Sequence, residues 1–191
     1  ALEYYEKSLN IYLMIYGENA SWGIANVSIG MGRVYSNQGD YSKALVCFEG
    51  ALKIFLLLNG DNHPAVATSY SYIGQIYFAQ NDYSKALECF KEALNVELSV
   101  YGENNPTIAA SYNRIGKMYF YQKEYPEALI YFEKALKIWL PVYDKNYLDV
   151  AGCYGNIGMM YAFLGNNSKA LMFLEKALAI YRSTLGEEDN S

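Results

Sequence analysis

Large and small apolar residues recur along the chain at a fixed interval of 42 residues, as from Gly74 to Gly116 and Gly158. The clearest copy of the pattern consists of Tyr70, Ile73, Gly74, Tyr77, Ala86, Phe90 and Ala93. Within each half of a copy the spacing of three and four residues is that of one helix face. A polar turn, Gln80-Asn81-Asp82, separates the two halves. Each copy therefore predicts two antiparallel helices.

The recurring glycine lies in the middle of the first predicted helix. Glycine there is unfavourable by about 1 kcal/mol relative to alanine, so its presence in every copy requires a packing reason. We interpret it as the place where a neighbouring helix approaches too closely for a side chain. Ala86 and Ala93 have the same role on the second helix, and Tyr77 and Phe90 fill the gaps beside the small residues.

Such a helix pair buries its apolar stripe only by stacking on a neighbour, so the repeat predicts an all-α chain, an α-solenoid of about nine helices. We predict the second helix of an incomplete repeat over residues 1–16, repeats over residues 24–58, 64–100, 106–142 and 148–185, and a frayed tail over residues 186–191. Pro141 falls near the end of a second helix, where it should kink or end that helix. The following joint, residues 144–149, is expected to be irregular.

The anchor residues resemble those of the tetratricopeptide repeat, whose signature places Trp, Leu, Gly and Tyr on one helix and Ala and Phe on the next, at a period of about 34 residues. Tyr70 stands in the place of the Trp and Ile73 in that of the Leu. The longer period and the Gly-[Asp/Glu]-Asn-x-Pro joints at residues 60–64 and 102–106 resemble the kinesin light chain class of these repeats. The resemblance implies a right-handed superhelix, and a scaffold or adaptor that binds proteins.

Charge and hydropathy exclude two classes of partner. The chain has 15 basic and 20 acidic residues, a net charge of −5, which argues against a nucleic-acid-binding protein. No apolar run approaches the roughly 18–20 residues of a membrane-spanning helix. The expected partner is therefore another protein.

The three cysteines are interpreted as free, semi-buried thiols. Cys47 and Cys89 occupy equivalent places in consecutive repeats. Equivalent positions on stacked helices lie roughly 10 Å apart, beyond the Cα separation of about 7 Å that a disulfide allows. Together with Cys153 they indicate a reducing compartment, so we expect a cytoplasmic protein.

No catalytic residue, metal site or cofactor is predicted. His63, the single histidine, precedes Pro64 where a helix begins, and no nucleophile is fixed near it by the sequence. Asp144, Asn146 and Asp149 suggest a calcium loop only faintly, because the required Gly and Glu are missing. These observations predict that the chain is not an enzyme.

The candidate site is the concave face, which the first helices line in tetratricopeptide arrays. Its predicted residues are Asn26, Arg33, Asn37, Ser71, Gln75, Asn113, Arg114, Lys117, Tyr121, Asn156, Met159 and Phe163. The Asn side chains would hydrogen-bond the backbone of an extended peptide. Arg33, Arg114 and Lys117 would pair with its acidic side chains or a terminal carboxylate. Tyr121, Met159 and Phe163 would form a pocket for one apolar or aromatic anchor.

Three alternatives remain open from the sequence. The three cations are also compatible with a merely solvated concave surface. The array is also compatible with a regulatory or sensor module that controls an enzymatic domain outside residues 1–191. Neither end shows a polar cap, so we expect a piece of a longer protein, with self-association through the uncapped ends as a further possibility.

Overall fold

The computed structural model describes residues 22–142 and 148–185 and the isolated residues 7, 11, 14 and 15, and the two long ranges contain eight α-helices. The helices are α1 (Trp22–Asn37), α2 (Tyr41–Asn59), α3 (Pro64–Ala79), α4 (Tyr83–Tyr101), α5 (Pro106–Tyr121), α6 (Tyr125–Val142), α7 (Leu148–Phe163) and α8 (Asn167–Leu185). The all-helical prediction is confirmed, and these described ranges contain no strand. The ninth helix, predicted over residues 1–16, lies outside them apart from the four isolated positions, as do the tail and most of the joint predicted to be irregular.

Short polar residues begin the helices. At the start of α2, the Asp40 carboxylate accepts a hydrogen bond from the backbone N–H of Lys43 at 3.2 Å, which satisfies a donor that has no partner within the helix. His63 does the same for α3, because its Nδ1 accepts from the N–H of Ala65 at 3.1 Å. The single histidine is thus a helix cap, and Pro64 follows it at the first helical position, where the missing N–H costs nothing.

The turn inside each helix pair requires a left-handed residue at one equivalent position. Gly39 and Gly165 occupy it with φ angles of 77° and 78°, whereas Asn81 and Lys123 adopt 61° and 64°. Asn tolerates this conformation, but a long side chain such as lysine pays a steric cost for it. The third pair is therefore strained at Lys123.

The recurring glycine of each first helix lies against the large residue of the second helix, sixteen positions later. A Cβ atom added to Gly74 would lie 2.9 Å from a ring carbon of Phe90, and one added to Gly116 would lie 2.8 Å from a ring carbon of Phe132. The prediction of a close approach is correct, and what approaches belongs to the second helix of the same pair. It is a Phe ring at Gly32, Gly74 and Gly116, but at Gly158 it is the Leu174 side chain, with the Ala170 carbonyl oxygen also within 3.1 Å. The Phe rings of the second helices therefore occupy the space that a side chain at the glycine position would take, whereas the sequence had placed them next to the small residues.

The described residues form two compact units, divided between Val100 and Tyr101. In unit 1, one core cluster includes Ala25, Phe55, Val66 and Ala93, and a second is formed around Phe48 and Ile76. In unit 2, Phe132, Ile115 and Ile157 are among the completely buried side chains. In both units the core lies between the two helices of each pair and between successive pairs.

The cysteines are free thiols, and they differ in burial. Cys47 and Cys89 are half-buried, whereas Cys153 is only 1% exposed and donates a hydrogen bond from its Sγ to the carbonyl oxygen of Phe132 at 3.0 Å. Burial raises the pKa of Cys89 to about 11 and that of Cys153 to about 12. Both thiols are therefore protonated and unreactive at neutral pH.

Candidate binding surface on the first helices

In unit 1, three predicted site residues meet at one cavity of about 130 Å³ between α1 and α3. Arg33 and Asn37 reach it from α1, and Gln75 reaches it from α3. Arg33 and Asn37 lie on one face of α1 because they are four residues apart. Gln75 is the equivalent of Arg33 in the next repeat, so it lies on the same face of α3. Ser36, Tyr72, Phe48 and Ile76 complete the lining. We call this the Arg33 cavity.

The floor of the Arg33 cavity is aromatic. The Phe48 ring packs over Gly32, and Tyr72 stacks on it with ring centroids 4.9 Å apart and planes 10° apart. Phe48 is only 1% exposed, so this floor is fixed by the same contact that closes the helix pair. At about 130 Å³ the cavity is smaller than a usual small-molecule site, so it suits a single side chain rather than a whole ligand.

Two other predicted residues of unit 1 lie outside this cavity. Asn26 is exposed on α1. Ser71 was expected on the exposed stripe, but it is only 8% exposed and belongs to the core side of α3. Ser71 is thus poorly placed to reach a ligand.

In unit 2, the predicted asparagines contact each other. The Asn156 Nδ2 donates to Asn113 Oδ1 at 3.2 Å, which links α7 to α5 across a partly buried position. Each amide uses one group in this bond, so Asn113 retains its NH₂ and Asn156 its carbonyl oxygen. The pair therefore presents one donor and one acceptor in a fixed relation, as a peptide backbone requires.

Two cations lie beside this asparagine pair. Lys117 is exposed, whereas Arg114 is half-buried, less exposed than its predicted place implied. Neither residue has an ion-pair partner within the part of the chain that the structure describes, and the same holds for Arg33 in unit 1. We call Asn113, Arg114, Lys117 and Asn156 the Asn113 face.

Two of the three predicted apolar residues of unit 2, Tyr121 and Phe163, belong to an aromatic cluster near the ends of α5 and α7. Phe163 is 55% exposed and Tyr121 is 44% exposed. The Phe163 ring stacks on the Tyr125 ring, with ring centroids 4.6 Å apart and planes 10° apart. The centroid of the Phe120 ring lies 5.8 Å from that of Phe163. Met159 is also exposed, one turn before Phe163. The rings therefore present an exposed aromatic surface.

Sequence reasoning missed Tyr72, Phe120 and Tyr125 at these surfaces. Tyr72 lies 42 residues before Arg114, so its place in the repeat marks it as a neighbour of the candidate stripe. Phe120 precedes Tyr121, and Tyr125 begins the next helix. Their contribution depends on side-chain direction across a turn, which helix periodicity does not predict.

The described parts of the chain contain no group of three or more His, Cys, Asp or Glu side chains placed to hold a metal ion. No described helix has the length and apolar character needed to cross a membrane. The polar groups of both candidate surfaces are amides, guanidinium groups, one ammonium and the hydroxyls of Ser36 and Tyr72, which bind through hydrogen bonds and charge.

Comparison with known families gives consistent matches over most of the chain. A tetratricopeptide repeat profile matches residues 23–97 and residues 107–183. A second profile with the same description matches residues 73–139. No curated protein matches the chain in a sequence search.

Several solved structures share the fold. BtubC (BKLC) from P. vanneervenii superposes with a TM-score of 0.85 at 22% identity, covering 99% of this chain and 75% of its own. A putative kinesin light chain from Podosopora anserina, with nearly identical repeats similar to tetratricopeptide repeats, has a TM-score of 0.80 at 17% identity, covering 96% and 86%. The apo form of RapI has a TM-score of 0.81 at 20% identity, covering 94% of this chain and 47% of its own. At these identities the similarity is one of fold.

Proposed function

The chain belongs to the tetratricopeptide repeat family, whose arrays serve as protein–protein interaction scaffolds, and on this premise we propose that it binds a short acidic peptide segment of a partner protein without catalysing a reaction. Each unit provides an acid-binding position of its own on its first helices: the Arg33 cavity in unit 1 and the Asn113 face in unit 2. The aromatic cluster at Phe163 takes an apolar or aromatic side chain of the same partner.

The observation that carries this proposal is the composition of the Arg33 cavity. A guanidinium group and two side-chain amides, from Arg33, Asn37 and Gln75, converge over a fixed aromatic floor. Guanidinium groups bind carboxylates through two parallel hydrogen bonds, stronger than those between neutral groups. Because Arg33 has no ion-pair partner among the described residues, its charge is available for such a ligand.

The Asn113 face supports the same ligand chemistry in unit 2. The remaining NH₂ of Asn113 and carbonyl of Asn156 match the acceptor and donor of one peptide unit. Arg114 and Lys117 add two positive charges to the face of a chain whose net charge is −5. An acidic side chain that flanks the bound backbone is therefore favoured here over a basic one.

Charge reversal tests the proposal. In the Arg114→Glu/Lys117→Glu variant, attraction to an acidic peptide becomes repulsion, so Kd should rise at least about tenfold. Fluorescence polarisation against a library of acidic peptides with one aromatic residue measures it. Control peptides in which Gln replaces Glu and Asn replaces Asp should bind only weakly to the unmutated protein. Because Arg114 is half-buried, Lys117→Glu alone provides a variant with less risk to the fold.

The matched control reverses one lysine and one arginine on second helices. Lys53 and Arg182 are both exposed, so Lys53→Glu/Arg182→Glu changes the net charge by the same amount without touching either candidate surface. This variant should bind with nearly unchanged affinity. Loss of binding in the control, with binding kept by Arg114→Glu/Lys117→Glu, would place the ligand on the second helices and refute the assignment.

A further inference from the structure

A second cavity, of about 540 Å³, opens in unit 2 and shares no residue with the candidate binding surface. Its lining comes from the joint before α5, from α5 itself and from the C-terminal half of α6: Glu103, Asn104, Tyr112, Lys134, Lys137, Ile138 and Pro141. Its two lysines outnumber its single carboxylate, so the lining carries a net positive charge. We call it the outer cavity. Its volume lies within the range of about 300–1,000 Å³ that is usual for ligand sites.

The residue at the position of Pro141 differs between the second and third repeats. In the second repeat, the Ser99 hydroxyl lies 2.8 Å from the Val96 carbonyl and 3.1 Å from Asn62 Oδ1, so it bridges α4 to the joint. The residues 42 positions later are Pro141 and Asn104. Proline has no hydroxyl to make that bridge, and the Asn104 side chain is among the groups that line the cavity.

The charge of two second-helix positions that line the outer cavity, those of Lys134 and Lys137, also differs between repeats. The second repeat has Glu92 and Asn95 where the third has Lys134 and Lys137. The third is the one repeat with lysine at both positions, since the other two pairs are Gly50 with Lys53 and Lys176 with Ala179. Both lysines of the third repeat are exposed and lack an ion-pair partner among the residues that the structure describes.

One of the two ammonium groups is held in place by aromatic rings. Lys134 Nζ lies 5.4 Å from the centroid of Tyr112 and 5.0 Å from that of Tyr131. Such contacts attract the cation to the ring face and reduce the side-chain freedom that a ligand would otherwise have to restrict. Lys137 follows three residues later on the same helix face, with Cβ atoms about 5–6 Å apart.

We propose that the outer cavity binds an acidic, extended polypeptide segment with two carboxylates two residues apart. Alternate side chains of an extended strand lie on one side, at roughly 7 Å, which matches the two lysines. The Asn104 amide provides a hydrogen-bonding group for the peptide backbone, and Ile138 and Pro141 provide an apolar wall. This site is separate from the concave face and stands independently of the peptide proposed there.

Methyl NMR distinguishes the two sites in one titration. In protein labelled at the Ile δ1 and Met ε methyl groups, Ile138 reports the outer cavity and Met159 reports the concave face. The probe is the peptide acetyl-Gly-Glu-Gly-Glu-Gly-amide, and its neutral counterpart has Gln in both Glu positions. The acidic probe should shift the Ile138 signal saturably, and the neutral one should not. A response to the acidic probe confined to Met159, or an equal Ile138 response to both probes, overturns the proposal.

Three variants test the residues. Lys137→Gln should weaken acidic-probe binding by about two- to fivefold, the range expected for one partly exposed charge pair. Lys53→Gln, at the equivalent position of the first repeat, should leave it unchanged. Pro141→Ser restores the residue of the second repeat, so it should weaken binding while keeping or raising the melting temperature. Unchanged binding in both Lys137→Gln and Pro141→Ser would refute the assignment.

Discussion

The contact between Gly116 and Phe132 allows a sharp test of how the helix pairs are held together. A Cβ atom at Gly116 would lie 2.8, 2.9 and 3.2 Å from three carbons of the Phe132 ring. Contacts below about 3.0 Å are not tolerated, so either the ring or the helix must move. Phe132 is only 1% exposed and fully enclosed, so the ring has no free space in which to move. Gly116→Val should therefore overpack the core.

Two opposing effects determine the magnitude of this change. Replacing a helical glycine by valine recovers a few tenths of a kcal/mol of helix propensity. Overpacking a well-filled core costs typically about 1–3 kcal/mol. The steric term is larger, so the free energy of unfolding should fall by about 1–3 kcal/mol. Urea denaturation followed by circular dichroism at 222 nm measures it.

Gly155 provides the matched control within the same unit. It is also a helical glycine, but a Cβ atom there would meet nothing within 4 Å. Gly155→Val should therefore change stability by no more than about 0.5 kcal/mol. A double-mutant cycle of Gly116→Val with Phe132→Ala should show coupling above about 0.5 kcal/mol, because the smaller side chain makes room. Equal destabilisation by the two valine substitutions, or strict additivity in the cycle, would refute the contact.

Two further predictions concern strain and ionisation. Lys123→Gly should stabilise the chain by about 1 kcal/mol, because the residue has φ of 64° and equivalent turns use glycine; a lower urea midpoint would contradict this. The pKa of Cys153, raised by burial from 9.0 to about 12, should make stability decline as pH rises above about 9, since the unfolded thiol ionises first. Cys153→Ala should show a smaller decline between pH 9 and 11 in pH-dependent melting, and an identical decline would refute the linkage.

The repeat allowed the helices and their class to be predicted because both follow from periodicity in the chain itself. Apolar spacing predicted the all-helical architecture, and the helix propensity of glycine required a close contact at Gly74. The identity of the contacting group was not predictable in the same way. Periodicity gives the face on which Phe90 lies, but not the rotamer that carries its ring over the glycine.

The candidate site was predictable to a smaller extent. Arg33, Asn37 and Gln75 converge because two first helices repeat the same face. Ser71 lies at the boundary between the packing and the exposed stripes, and the equivalent residues Ile29, Asn113 and Gly155 are half-buried. The bond between Asn113 and Asn156 joins two repeats. It depends on the stagger between helices, which no single repeat encodes.

The short distance along the chain between Gly74 and Phe90 also bears on folding during synthesis. Gly74 and Phe90 are sixteen residues apart, so the contact that closes their helix pair requires no distant part of the chain. Ribosomes add about 5–20 residues per second, so this segment is synthesised in roughly one to three seconds. Closing a loop of about this size takes well under a millisecond. The glycine contact of one helix pair is therefore able to form while the ribosome is still adding the next pair, and stacking on that pair then buries the rest of its apolar stripe.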